Sequence, residues 1–136
     1  MSSKDTLKQF FLAIADGSKG QPVDIAVFFT DDVKWHLPQS AAQMGKALYD
    51  GKSEVMQLFS GGVAQFYKPE TMQFTYHSMI AEGDYAHCHF SLEAITANGK
   101  PYLNHYQSLF RLRNDKIAEV WEYFDTAYLF GVFSSP

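Results

Sequence analysis

Cysteine, basic charge and long apolar runs are all scarce in these 136 residues, and each scarcity excludes a class of protein. The single Cys88 rules out an internal disulfide. With no second soft ligand beside it, a zinc ribbon or an iron–sulfur centre is excluded as well. A lone thiol fits a reducing compartment, so a cytoplasmic protein is expected. Lys and Arg number 11 against 15 Asp and Glu, a net charge of −4. Binding to phosphate backbones needs the opposite sign, so no nucleic-acid partner is expected. No run of about 18 apolar residues occurs, and the opening MSSKDTLKQF lacks a basic segment followed by an apolar one. Neither a membrane span nor a signal peptide is expected.

Aromatic residues, by contrast, are plentiful: 12 Phe, 8 Tyr and 2 Trp. Hydrophobic residues make up 46% against 19% charged, enough for a folded core and too many for intrinsic disorder. The length fits one domain over residues 1–136. A core of this size does not need so many rings, so a ligand pocket or a subunit interface should absorb the excess.

The patterning changes character midway. Leu7, Phe10, Phe11, Ile14 and Ala15 recur at helical spacing behind Ser3 or Asp5 as N-cap, with Gly17 just past the end. Pro22 opens a second short helix through Val23, Ala26, Val27 and Phe28, and the two should pack as a hairpin. Val33, Trp35 and Leu37 alternate with Lys34 and His36 as a short strand ended by Pro38. Residues 39–51 read as a loop. Val55, Leu58 and Phe59 give a third helix, interrupted at Gly61 and Gly62 before Phe66. From Glu70 onward period-2 texture dominates, broken by turn signals at Glu82-Gly83-Asp84, Asn98-Gly99-Lys100-Pro101 and Asn114-Asp115. Three hairpins then make an antiparallel meander. Helices first and strands after imply an α+β fold with the helices covering one face of a curved sheet. The tail from Thr126 to Phe133 is apolar enough to pack as a short helix.

This arrangement resembles the nuclear-transport-factor-2-like superfamily, in its SnoaL-like and ketosteroid-isomerase-like branch. The strings that carry the likeness are FFTDDVKWHLP at 28–38, MGKALYDGKSEVMQLF at 44–59, AEGDYAHCHF at 81–90 and NGKPYLNHYQSLFRLRNDKIAEVWEYFDT at 98–126. The resemblance implies a cone-shaped, cystatin-like fold that encloses a pocket between the helices and the concave sheet face, and a homodimer formed through the sheet. It implies that Val120, Glu122 and Phe124 face inward, and that Glu122 stands where SnoaL-like cyclases carry their acid. The aspartate of steroid isomerases aligns near Leu37, an apolar residue, which argues against steroid isomerisation itself.

Glu122 between apolar neighbours would lose hydration, which raises a carboxyl pKa and suits it to move protons. The plainer alternative is a strand-end carboxylate, solvated or paired with Lys116 or Arg111. By alternation Tyr102, Asn104, Tyr106 and Ser108 share a face. Asn104 and Tyr106 offer an amide and a phenol for a developing enolate oxygen, against a reading as cross-strand packing. Trp35, Leu37, Phe59, Tyr102, Val120 and Phe124 are the expected walls of the substrate pocket.

His87 and His89 form an H-x-H pair, and a metal would need His77 or His105 from a neighbouring strand. No single segment supplies a ligand set, so no metal is expected, and an inward His89 would serve as a second acid–base group. His36 reads as a surface histidine, Asp125 as a cap through Thr126, and Cys88 as a small buried hydrophobe. Gly61-Gly62 is neither a P-loop nor a dinucleotide fingerprint, so no cofactor is expected. The expected partner is a small hydrophobic molecule. Two readings follow: a cofactor-independent acid–base enzyme, isomerase or polyketide-cyclase-like, acting on a hydrophobic carbonyl compound, or a non-catalytic hydrophobic-ligand binding or dimerisation domain. An apolar face of Ala86, Cys88, Phe90 and Leu92 would suit a sheet-to-sheet dimer under either.

Overall fold

The computed structural model describes residues 2–60 and 65–134. Helix α1 spans Ser3–Ser18, and its N-cap is Ser2, whose hydroxyl accepts from the Asp5 amide at 3.1 Å. The cap thus falls before both predicted candidates, Ser3 and Asp5, and Gly17 lies inside the last turn. Leu7, Phe10 and Phe11 are buried, so the apolar stripe read from the sequence is the face that packs. The second predicted helix is a single 3₁₀ turn, Ile25–Phe28, capped by Asp24. Six residues after Pro22 are too few for a stable α-helix before the chain must extend into the sheet.

Strand β1 covers Phe29–His36, and β2, Leu48–Asp50, pairs with it inside the segment read as a loop. Three residues of strand fall below what alternation can reveal. Helix α2 covers Lys52–Ser60. The expected break at Gly61 and Gly62 lies outside the described residues. The meander follows as β3 (Gln73–Glu82), β4 (Tyr85–Ile95), β5 (Pro101–Arg113) and β6 (Lys116–Phe124), and α3 (Thr126–Ser134) is the last described element. The Asn114-Asp115 turn has both residues at positive φ, 54° and 61°, the conformation a two-residue hairpin requires.

The six strands form one curled, open sheet in the order β2-β1-β6-β5-β4-β3. The sheet is mixed: β1 runs parallel to β6, and the remaining pairings are antiparallel. Alternation reports which face a side chain takes and not the direction of the neighbouring strand, so the parallel pairing was not legible. The register shifts at Phe29/Lys34, Tyr76/Ser78 and Arg111/Leu112; the last two shifts each leave one extra residue on one strand, a β-bulge that adds bend and twist. The helices cover the concave side. There Phe10 meets the rings of Phe11, Phe28, Phe29, Trp35, Phe59 and Phe110 at centroid distances of 5.5–6.3 Å. Ala86, Cys88, Phe90 and Leu92 belong to this core face and are buried within the chain, so they offer no surface to a second copy. No helix among the described residues is long and apolar enough to cross a membrane.

Candidate active site

Even-numbered residues of β4 and β5, and of β6 beyond its bulge, share the concave face because the registers pair Phe90 with Tyr106, Cys88 with Ser108 and Ser108 with Glu122. The bulge near Arg111 precedes this stretch of β6, so Val120, Glu122 and Phe124 keep their inward parity. Between this face and the helices lies a cavity of about 240 Å³. Phe11 and Ile14 of α1, Leu58 and Phe59 of α2, Phe74 of β3 and Leu129 of α3 contribute to its walls. Its polar groups are few: Tyr67, Tyr106, Ser108, Glu122 and the indole of Trp35.

Among the described residues, Glu122 is held by one hydrogen bond, donated by Trp35 Nε1 to Oε1 at 3.1 Å. Neither Lys116 nor Arg111 reaches it, and Arg111 instead pairs with Glu119 at 3.3 Å. Burial pushes the Glu122 carboxyl up to about 7, against the smaller downward pull of the Trp35 bond. Glu122 is half-buried and opens onto the cavity, whose walls around it are mostly aromatic carbon, so the charged form loses much of its hydration with little in return.

Three phenols stand near this carboxyl. Tyr102 and Tyr106 share a hydrogen bond of 2.8 Å between their hydroxyls, and Tyr67 joins both. Burial raises all three phenols, and a negative Glu122 raises them further, so each keeps its proton at neutral pH and remains a donor. Tyr106 and Tyr67 line the cavity, while Tyr102 lies behind them with 1% of its surface exposed.

Of the residues singled out from sequence, Glu122, Tyr106, Trp35, Leu37, Phe59 and Phe124 border the cavity. Four do not. Asn104 is buried and spent: its amide donates to Tyr102 Oη at 2.9 Å and to the Asp125 carbonyl at 3.0 Å, and its oxygen accepts from the His105 amide at 2.8 Å. It buttresses the tyrosines, and both of its N–H donors are already committed. Tyr102 acts from behind in the same way, and Val120 is fully buried under the wall. His89 pairs with Gln107 on the opposite face of the sheet from Phe90 and Leu92, so it cannot act in the cavity. Tyr67 escapes sequence reasoning, because it precedes the meander at an isolated bridge to Thr96, where no periodicity marks which way it points. Asp125 caps α3 by accepting from the Tyr128 amide at 3.0 Å. His36 bonds Glu119 at 2.7 Å and stacks on Trp121 away from the cavity.

The family model for a SnoaL-like domain matches residues 7–120, most of the chain. The protein belongs to the SnoaL-like family. Solved structures share the fold at low identity. One is a nuclear-transport-factor-2-like protein of unknown function from Burkholderia pseudomallei, with TM-score 0.83, 19% identity and coverage of 99% of this chain and 100% of that one. Another is TerC co-crystallised with polyporic acid, with TM-score 0.77, 17% identity and coverage of 96% and 99%. A third is IdmH from Streptomyces antibioticus, a candidate polyketide cyclase, with TM-score 0.74, 18% identity and coverage of 99% and 100%. A search of curated proteins gave no match.

Proposed function

We propose that this SnoaL-like protein is a cofactor-independent acid–base catalyst acting on a hydrophobic carbonyl compound, as an isomerase or a polyketide-cyclase-like enzyme. The observation that carries the reading is the Glu122 carboxyl, poised at about 7 in an apolar cavity whose other polar groups are mainly un-ionised hydroxyls. A general base or acid is most effective when its pKa lies near the working pH.

The carboxylate of Glu122 removes a proton from the carbon beside the substrate carbonyl. The C–H electron pair becomes the enolate double bond, and charge moves to the oxygen. The Tyr106 and Tyr67 hydroxyls donate to that oxygen, and Tyr102 and Asn104 hold Tyr106 from behind so that its donor is already oriented. Glu122, now protonated, returns the proton at another carbon in an isomerisation. In a cyclisation, the enolate carbon attacks a second carbonyl carbon and Glu122 protonates the resulting alkoxide. Protons balance in either case, with no external oxidant or reductant.

The aromatic walls suit a flat, apolar substrate. Beside the cavity a second cleft of about 490 Å³ shares Ile14, Phe59 and Met72 with it, which gives room for a longer ligand. The co-crystal of TerC with polyporic acid supports a small-molecule occupant for this fold, and the assignment of IdmH supports cyclase chemistry on it.

The test works with model ketones in place of the natural substrate. Hydrophobic cyclic ketones and 1,3-diketones are incubated with the protein in D₂O, and loss of the α-proton signal is followed by NMR. Wild type should accelerate exchange, and Glu122→Gln should lose about 10²-fold or more of that rate. Ketones that bind without any accelerated exchange would reassign the cavity to ligand carriage.

A further inference from the structure

We propose that His77, His89 and His105 form a binding site for a divalent transition metal of the zinc class on the outer face of the sheet. The three imidazoles come from three adjacent strands, β3, β4 and β5. One nitrogen from each lies within 4.8 Å of the other two. Ring centroids stand 4.6 Å apart for His77 and His89, 5.8 Å for His77 and His105, and 5.9 Å for His89 and His105.

The sheet is built to bring them together. His105 sits opposite Ser91 and His89 opposite Gln107, so these two histidines are diagonal neighbours on one face. His77 arrives through the β3 bulge. Tyr76 pairs with Phe90 and Ser78 pairs with His89, which leaves His77 as the extra residue beside His89. Ser91 Oγ holds His77 Nε2 at 3.1 Å and is itself buried, with 7% of its surface exposed. A hydroxyl that fixes one ring nitrogen of a histidine orients the ring and sets its tautomer, the usual role of a group behind a metal ligand.

The donor set identifies the class of ion. Three imidazoles with no carboxylate in the cluster favour zinc, cobalt, nickel or copper over magnesium or calcium, which take oxygen ligands. Zinc–nitrogen bonds of about 2.0–2.1 Å in a tetrahedron set the nitrogens roughly 3.4 Å apart. Side-chain rotations close the remaining gap, and the exposure of His77 and His105 leaves them room to turn. The fourth position faces outward and would hold water.

This inference goes beyond the proposed function. The cluster lies across the sheet from the cavity, so either assignment stands without the other.

The test is titration of the full-length protein, freed of metal with a chelator, with ZnCl₂ by calorimetry and with CoCl₂ by visible absorption. The expected result is one Zn²⁺ per chain with micromolar or tighter affinity, and the intense d–d absorption of a tetrahedral Co²⁺ site. His89→Ala and His105→Ala should each weaken Zn²⁺ binding at least 100-fold, because losing a ligand costs more than the roughly 10–100-fold lost with a group that only orients one. His36→Ala, whose ring is bonded to Glu119 away from the cluster, should bind as wild type does. Circular dichroism checks that the variants fold, and the wild-type cobalt spectrum carries the test without them. No saturable binding of Zn²⁺ at millimolar concentration overturns the proposal, and so does binding that survives both substitutions in the cluster.

Discussion

Replacing Glu122 by Gln should change how stability depends on pH, and the size of the effect follows from the cavity. Glutamine keeps the side-chain shape and still presents an oxygen to Trp35 Nε1, so the packing is preserved. The glutamic acid titrates at about 7 in the fold against 4.5 unperturbed. Well below 4.5 both folded and unfolded chains carry the proton, and burial of the acid costs nothing through ionisation. As pH rises past 4.5 the unfolded chain ionises while the fold holds its proton, and stability falls until the cavity carboxyl ionises in turn near 7. At about 1.4 kcal/mol per unit, the loss levels off near 3 kcal/mol above roughly pH 8, and it is under about 1 kcal/mol at pH 5. Glutamine carries no such loss. Urea unfolding of both proteins at the two pH values should therefore show the variant gaining about 2–3 kcal/mol on wild type from the lower pH to the higher. A stability difference that stays constant across that interval would refute the claim that Glu122 is held away from water.

Once a ketone that exchanges is in hand, Tyr106→Phe should lower kcat/KM by about 10²–10³, the scale for loss of one oriented donor, while far-ultraviolet circular dichroism stays unchanged. Trp35→Phe removes the bond that pulls the Glu122 carboxyl down, so the rise of activity with pH should move to higher pH, read from the pH–rate profile. Phe10→Ala takes away the ring around which six other aromatic residues are arranged, and should cost about 3–5 kcal/mol in denaturant unfolding.

Much of this fold is written in local patterns. The stripe of Leu7, Phe10 and Phe11, the alternation from β3 to β6 and the turn at Asn114-Asp115 each follow from periods and backbone preferences acting within a few residues. Alternation put Glu122 on one face with Val120 and Phe124, and the family resemblance, not the period, made that face the inner one. What escaped was non-local. The parallel pairing of β1 with β6, the three-residue β2 and the position of Tyr67 depend on contacts between distant segments, which single-chain periodicity does not report. His89 illustrates the ambiguity of alternation: the period places it on a face with His87, but only pairing with β5 decides that this face is the outer one. Asn104 shows a second limit. Its amide is recognisable as a donor, yet whether a donor is free or already committed to Tyr102 and the Asp125 carbonyl depends on three-dimensional neighbours.

The most direct measurement is the titration of the Glu122 side chain itself, by carbon-detected NMR on protein labelled with ¹³C-glutamate, the Cδ resonance being assigned by its loss in Glu122→Gln. A midpoint near 7 is the predicted result, the value that places a proton-transfer group at working pH inside the cavity. A midpoint at the ordinary 4.5 would contradict it, because a carboxylate that ionises as it does in water is not shielded by the walls described above and has no tuned role to play.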